Sequence, residues 1–597
     1  MHFQIKRRDG PARIGELLVD NSKIITPNIL FVNTKRFKAP DFADILITNN
    51  DSKNAKATLK ISNYFVYPKD LSEELHLSAI KLQKKEKNNY YVLPGNKDMI
   101  DDALKDNPAS FFIVANAFQL FQQPKKFVDF IVTLREKIGY QKMIYIPAVG
   151  DPNNFSLLSY TGVDFFDSLS AIIAARNKKL LFPTGQYHIN EVEELPCSCP
   201  SCSKFKGELD KMDFETILNH NYYSILNEIK HVRNAIIQSC LRGLVETRVK
   251  TSPHLTAVLR NLDMSHYMFL EKRTSVTSKT RLLITAKESL CRPEIKRFQH
   301  RVIDRYRKPE STKVLLLLPC SAKKPYSFSK SHRLYRDQLF SSGNPFVFHE
   351  MIITSPLGLV PRELELIYPA SCYDIPVTGV WDEDEKKMIQ ELLKKYLDIN
   401  KYDKIIAHLP KEIMEFIEDS LEKLVVTCVD HPTSKKSLIN LLKMLKETSE
   451  SYNKIKSQRR IKEDINCFAS YQFGRKIAKD LLKNCTIRGK YPYQKIMHNN
   501  TQLGMITRER GLISLTINGA EKLIGSKKYW VEIYDDFKLK GSVFSPGVKN
   551  ADENIRIGDE VIVLQKGRLQ GVGVALMNGE EMKQSSYGEA VKIRHLV

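Results

Sequence analysis

The heptapeptide Pro196-Cys197-Ser198-Cys199-Pro200-Ser201-Cys202 restricts this chain's folding more than any other feature. Three soft thiolates on one short turn, with the imidazole of His220 eighteen residues after Cys202, make a complete tetrahedral zinc set. The loop must turn so that three sulfurs converge, and the segment ILNHNYYSILNEIKHVRNAI must return as a helix bearing the fourth ligand. A closed set of this kind is structural, because no position remains for water or substrate. Three unrelated buried thiols are the alternative, but Pro and Ser between them favour an exposed turn where free thiols would oxidise. His231 lies eleven residues beyond His220 on the same helix and cannot share the site without a break, so His220 is favoured.

Length and charge bound the rest. At the usual domain size, 597 residues suggest about three to five domains. Lys plus Arg number 92 against 69 Asp plus Glu, so the net charge is 92 − 69 = +23, which suits a polyanion-binding surface. Ten cysteines are too sparse for a disulfide framework. The amino-terminal MHFQIKRRDGPARIG lacks the apolar core of a signal peptide, and the longest aliphatic run, Val314 to Leu318, is too short to span a bilayer. A cytoplasmic protein with no membrane partner is expected.

After a helix expected around 276–307, strands, loops and helices alternate. The apolar segments at 313–318, 351–354, 404–407 and 425–428 read as buried strands, with amphipathic helices such as EKKMIQELLKKYLD and KEIMEFIEDSLEKL between them. This predicts a three-layer domain on a parallel sheet, whose ligands bind beyond the carboxyl ends of the strands. Pro319-Cys320-Ser321-Ala322-Lys323-Lys324-Pro325-Tyr326-Ser327-Phe328-Ser329-Lys330-Ser331-His332 follows the first strand and gathers a thiol, amines, a phenol, hydroxyls and an imidazole. A second loop, Ser355 to Glu363, is expected at the same sheet end. Solvated polar loops would account for such residues singly, but not for reactive types following a core strand.

The stretch 448–465 is polar, a helical or loose linker. TQLGMITRERGLISLTINGAEKLIG predicts two strands joined at Arg510-Gly511 and then a helix. From Tyr529 onward the signals are all β, and about seventy residues suffice only for a small, partly closed barrel. Lys538, Lys540 and Lys549 are candidate phosphate contacts there.

Three resemblances follow from these residues. Cys-x-Cys-x-x-Cys with a helix carrying His-Asn resembles the zinc site of tRNA-guanine transglycosylases, whose catalytic domain is a (β/α) barrel. The segment Gly162-Val163-Asp164-Phe165-Phe166-Asp167-Ser168 looks like that family's strand, and by position Asp167 matches its nucleophile. A strand-end Asp capping the next helix is the plainer reading. The family's second carboxylate is missing: the nearest match, Phe112 to Leu120, keeps Phe-Gln-Leu but has no acid, and it lies too close to Asp167 for the family's chain order. Asp167 is therefore expected to be a vestigial position.

Pro-Cys-x-x-x-Lys-Pro-Tyr-x-x-Ser-x-x-His resembles the signature of archaeosine synthases, matched at Pro319, Cys320, Lys324, Pro325, Tyr326, Ser329 and His332. The glycine-punctuated segments at 541–548, 557–563 and 571–575 resemble the PUA domain, which binds structured RNA. Together they imply an α/β multidomain protein: a degenerate transglycosylase-like (β/α) barrel with structural zinc (1–290), a parallel-sheet α/β domain with the catalytic motif (291–447), a linker with a small α+β domain (448–525) and a β-barrel PUA domain (526–597). The implied activity adds an amine, free lysine in the family, to the nitrile of 7-cyano-7-deazaguanine at position 15 of tRNA. The product is an amidine, formed without ATP or a redox cofactor. Implied partners are tRNA, held by its D-arm and acceptor stem, free lysine and a radical SAM enzyme that completes archaeosine; the sequence does not fix the oligomeric state, for which a homodimer is one option.

In this chemistry the amine must be neutral, the nitrile nitrogen must gain a proton, and the reactants must be held together. His332 is a candidate base or proton shuttle, Tyr326 a hydrogen-bond donor, and Lys324 an electrostatic stabiliser or phosphate contact. Cys320 either adds to the nitrile as a thioimidate or lines the pocket, and Ser329 either bonds the loop backbone or touches substrate. Ser355, Arg362 and Glu363 are expected to bind the amino acid, the last two through its carboxylate and amino group. The competing functions are a transglycosylase that inserts the base through Asp167, and a non-catalytic tRNA-binding partner.

Overall fold

Short, continuously apolar segments become the strands of two units. The computed structural model describes residues 2–19, 22–48, 57–59, 90–418 and 421–597. One unit takes the chain up to Thr274 with Lys583–Gly588; the other takes Ser275–Met582 and Glu589–Val597. Among the described residues, no helix is long and apolar enough to cross a membrane.

In the first unit, β1 (His2–Asp9), β2 (Ala12–Val19) and β3 (Ser22–Ile25) form an antiparallel sheet. Then β4 (Asn28–Val32), β5 (Ile45–Ile47), β6 (Ala57–Leu59), β7 (Tyr90–Leu93), β8 (Phe111–Val114), β9 (Met143–Tyr145) and β10 (Phe165–Asp167) make a seven-stranded sheet. Its order is β6-β5-β4-β10-β9-β8-β7, with every pairing parallel. The last strand therefore pairs with the first, the cyclic order of a (β/α) barrel. The interval between β6 and β7, 60–89, lies outside the described residues.

Period-two alternation sorts the side chains. Ile29, Phe31, Phe112, Val114, Ile144 and Phe166 pack with helix residues such as Phe127 and Ile131. Leu30, Phe111, Ile113, Met143, Tyr145 and Phe165 form a separate inner core with Phe3, Ile5 and Leu17. Asp167, two residues after Phe165 on β10, shares that inner face. A hairpin, β11 (Lys179–Phe182) and β12 (Gly185–His188), precedes the cysteine turn, and the helix Phe214–Ile237 carries His220.

The second unit opens differently from the helix expected over 276–307. Leu282–Leu283 (β13) pairs with a later strand, and the helix begins only at Pro293. Proline has no N–H to donate and its ring clashes with the preceding turn, so it starts the helix instead of sitting inside it. The four expected strands form and are parallel: β14 (Val314–Pro319), β15 (Phe348–Thr354), β18 (Lys404–Ala407) and β19 (Leu424–Val426).

The sheet is nevertheless mixed. Gly358–Pro361 (β16) runs antiparallel beside β15, giving the order β16-β15-β14-β18-β19. β17 (Tyr373–Asp374) is the partner of β13. The helix expected over 411–424 is observed over Lys411–Ile417, and residues 419–420 lie outside the described residues.

The polar stretch around 448–465 is largely helical, within Lys435–Glu450 and Ser457–Phe473. An antiparallel sheet follows: β20 (Thr486–Lys490), β21 (Tyr493–His498), β22 (Thr501–Ile506) and β23 (Ile513–Leu515), the last two joined across Arg510-Gly511 as expected. A six-stranded sheet ends the chain, comprising β24 (Trp530–Ile533), β25 (Val543–Phe544), β26 (Val548–Ala551), β27 (Glu560–Gln565), β28 (Arg568–Ala575) and β29 (Glu589–Leu596). One hydrophobic core runs through this unit, joining Leu315 and Tyr326 to Ile477, Leu503 and Val572.

Candidate active site and metal centre

The cysteine turn brings Cys197, Cys199, Cys202 and His220 together, with one donor atom of each within 4.8 Å of the others. Cys202 Sγ lies 3.3 Å and Cys199 Sγ 3.9 Å from His220 Nδ1, spacings that suit ligands around one small cation. The amides of Cys199 and Cys202 donate to Cys197 Sγ and Cys199 Sγ, each at 3.4 Å, which favours thiolates. His220 Nε2 faces the Leu181 carbonyl oxygen at 3.2 Å, an outer partner that leaves Nδ1 for a metal. Asn221 bonds Leu181, Ala171 and Lys179, fixing the hairpin and the helix that carry this set. The donors fit a metal ion, with no position open for substrate.

Asp167 lies at the carboxyl end of a barrel strand, where barrel chemistry sits. Both its oxygens are used: Tyr145 Oη donates at 2.6 Å and Ala148 N at 2.9 Å to Oδ2, and Leu169 N at 2.8 Å to Oδ1. Burial pushes its pKa up, and these donors oppose the shift. At the transglycosylase-like segment 112–120, Asn116 adopts a left-handed conformation and its side-chain oxygen accepts from Gly95 N at 2.9 Å. Asp164 is a structural clamp, taking Arg13 at 2.8 Å and Arg135 at 2.9 Å.

In the second unit, β14 delivers Cys320 and β15 delivers Thr354 and Ser355 to the same sheet end. Cys320 and Lys324 are half-buried, while Tyr326 is buried. The Tyr326 and Tyr373 hydroxyls are 2.6 Å apart, and Thr354 Oγ1 makes a short hydrogen bond with the Tyr373 hydroxyl. Thr354 also bonds Cys320, and Lys324 Nζ sits 3.9 Å above the Tyr373 ring. Burial pushes the thiol up, and burial pushes the Lys324 amine down. Burial thus favours the neutral thiol beside the neutral amine, and the mutual attraction of their charged forms opposes it. The Ser355 hydroxyl bonds Glu385 at the start of the helix Glu383–Ile399. Ser329 caps the helix Lys330–Phe340, accepting from His332 N at 3.2 Å.

His332 is not placed as a base. Burial, and then the Arg362 charge, lower its pKa to about 2. Arg362 Nη2 lies 2.7 Å from Nδ1, so this nitrogen accepts and the ring proton sits on Nε2. Arg362 and Glu363 depart from expectation as well. Pro361 pairs with Met351, so the antiparallel β16 carries both residues back toward the amino end of β15, away from Cys320. There Arg362 contacts Glu350 at 2.7 Å and Glu365 at 3.0 Å, while Glu363 meets Tyr306 and, at 3.3 Å, His349. Both line a cavity of about 380 Å³ with Arg336, Glu350 and Arg460, whose walls do not include Cys320 or Lys324. Lys538, Lys540 and Lys549 are exposed in the last sheet's region, and Lys549 lies 3.8 Å from Asp535.

Family models and relatives agree with this arrangement. Residues 97–254 match a queuine tRNA-ribosyltransferase model, 295–445 a domain of unknown function, 463–529 the patch-forming domain C2 of tRNA-guanine transglycosylase, and 534–597 the PUA domain. The archaeosine synthase subunit alpha of Methanosarcina acetivorans is 34% identical across 100% of this chain and 99% of its own. The chain belongs to the archaeosine synthase family. The archaeosine synthase of Haloferax volcanii is 32% identical over 100% of this chain and 99% of its own. A tRNA-guanine(15) transglycosylase of Methanobrevibacter smithii is 28% identical over 79% of this chain and 69% of its own.

Sequence reasoning missed Thr354 and Tyr373. Thr354 ends a strand that was legible and directly precedes Ser355, so its place at the sheet's carboxyl end was available. Tyr373 lies in a two-residue strand with no periodic signal.

Proposed function

We propose that this protein modifies tRNA in archaeosine biosynthesis by joining free lysine to the nitrile of 7-cyano-7-deazaguanine at position 15. The observation that carries the reading is Cys320, half-buried at a strand end between Thr354, Lys324 and the Tyr326–Tyr373 hydroxyl pair. The Cys320 thiol gives its proton to the Lys324 amine and adds through sulfur to the nitrile carbon. The Lys324 ammonium returns that proton to the nitrile nitrogen, leaving a thioimidate. The neutral ε-amine of lysine then attacks the same carbon, the C–S bond breaks, and the thiol recovers its proton as the amidine forms. The sum is nitrile plus amine, so the balance requires neither ATP nor a redox cofactor. Tyr326, Tyr373 and Thr354 supply oriented hydroxyls beside the developing charge.

The Cys197, Cys199, Cys202 and His220 set is read as a structural zinc site that fixes the barrel-like unit. That unit and the PUA barrel hold the RNA, with Lys538, Lys540 and Lys549 as phosphate contacts, while Ser355 stays at the reactive sheet end. A transglycosylase reading is favoured by Asp167's strand-end position and by the transglycosylase family matches. The family's second-carboxylate motif is not found in the sequence, and both oxygens of Asp167 are already bonded. The test is mass spectrometry of nucleosides from tRNA carrying the cyano base, incubated with protein and isotope-labelled lysine without ATP. Gain of the lysine mass is expected; entry of labelled free base instead would support the transglycosylase.

A further inference from the structure

One feature of the motif loop has no part in the nitrile chemistry. Phe328 lies two residues beyond Tyr326 and is half-buried, its ring stacked on Tyr491 with centroids 6.3 Å apart and planes at 25°. Arg508 places its guanidinium carbon 4.6 Å over the Phe328 ring. Three elements distant in sequence thus build one aromatic and cationic stack: the motif turn, the β20–β21 hairpin and the β22–β23 turn. Tyr491 stands at the tip of the hairpin and is 38% exposed. The tip needs Gly489, whose φ is +97° and where a Cβ would lie 2.4 Å from the Tyr493 carbonyl oxygen.

An exposed ring is ordinarily free to rotate, but this one is anchored. Tyr491 Oη donates to Glu365 Oε1 at 2.5 Å. The same buried carboxylate accepts from Ser327 N at 2.9 Å, from the Ser327 hydroxyl and from Arg362 at 3.0 Å. Glu365 therefore ties the stack to the turn between Tyr326 and Phe328. Arg488, Lys490 and Lys495 are exposed on the same hairpin, and Tyr493 is 45% exposed beside them. Rigid aromatic rings flanked by cations match the chemistry of an unstacked base with its phosphates. An enzyme that acts on a base must take it out of its stack, and the disturbed nucleotides need a new surface to stack on.

We propose that Phe328, Tyr491 and Arg508 form a stacking platform for an unstacked nucleobase of the tRNA substrate, adjoining the nucleotide that is modified. The proposal rests on the reading that the substrate is tRNA, though not on lysine addition. Tyr491 is a positioning residue: its ring receives the base, and its hydroxyl, through Glu365, sets the motif turn.

The test uses the full chain and a tRNA transcript with guanine at position 15 and 2-aminopurine at position 14 or 16, without lysine. Wild-type protein should quench the fluorescence as the probe stacks. Phe328→Ala and Tyr491→Ala should lose the quench and weaken binding about tenfold. Tyr491→Phe should keep both, which separates ring stacking from a folding defect, and Arg508→Gln should weaken binding while retaining circular dichroism. Wild-type affinity and quench in Tyr491→Ala would overturn the proposal, as would weakened binding with the quench intact. A surface built for a protein partner would leave RNA affinity unchanged in every variant, which also overturns it. Failure of the lysine-addition reading would leave the quench in place.

Discussion

Burial acts on Cys320 and Lys324 in opposite directions, raising the pKa of the thiol and lowering that of the amine, so it favours the neutral pair, and the attraction between the two charged forms works against it. Lys324→Met should lower the rate constant for lysine addition by about a hundredfold or more while tRNA affinity changes little, which single-turnover assays and filter binding would separate. The rate of addition should rise with pH, because free lysine must lose a proton from an amine with a reference pKa near 10.4. His332 predicts a different pH effect. Its folded pKa is lowered to about 2, so below about 6.5 the unfolded chain binds a proton that the folded chain does not. Its contribution is present above the unfolded pKa and is lost as pH falls through the window from about 6.5 to 2. Denaturant titrations should show a shallower acid loss in His332→Gln than in wild type.

At the scale of elements, the cysteine turn is expected to be a folding device of the first unit. Cys199→Ser should lose bound zinc and lower the melting temperature by at least about 5 °C, read by metal analysis and calorimetry. Asp167→Asn removes a charged acceptor from Tyr145 Oη and two amides, at a cost of about 1–3 kcal/mol. It should be less stable to denaturant yet still add lysine, whereas a transglycosylase would lose activity.

Elements with strong local signals were legible. The four parallel strands of the second sheet follow from their apolar runs, and the convergence of Cys197, Cys199, Cys202 and His220 from their spacing. What escaped was set by tertiary pairing. Gly358–Pro361 is too short to show a period, yet its antiparallel return moves Arg362 and Glu363 to the other end of β15, where Arg362 pairs with Glu350 and Glu363 contacts His349. The contact that takes up Nδ1 of His332 and disfavours a base role was hidden for the same reason, since its partner Arg362 comes from a different element. Leu282–Leu283 likewise becomes a strand through Tyr373–Asp374, which local propensity does not reveal.

Across the whole molecule, a net charge of +23 and two RNA-associated family matches predict binding dominated by phosphate neutralisation. Affinity for tRNA should fall about 10³- to 10⁵-fold between 50 and 200 mM salt if six to ten phosphates are contacted, which filter binding would show. On the proposed reading the chemistry depends instead on one thiol. Cyano-containing tRNA should be mixed with the protein in the absence of lysine, quenched and resolved under denaturing conditions. The account predicts a covalent protein–tRNA species that is absent in Cys320→Ala and is discharged to the lysine-bearing tRNA when lysine is added. Lysine addition by Cys320→Ala at the wild-type rate, with no covalent species in either protein, would contradict it.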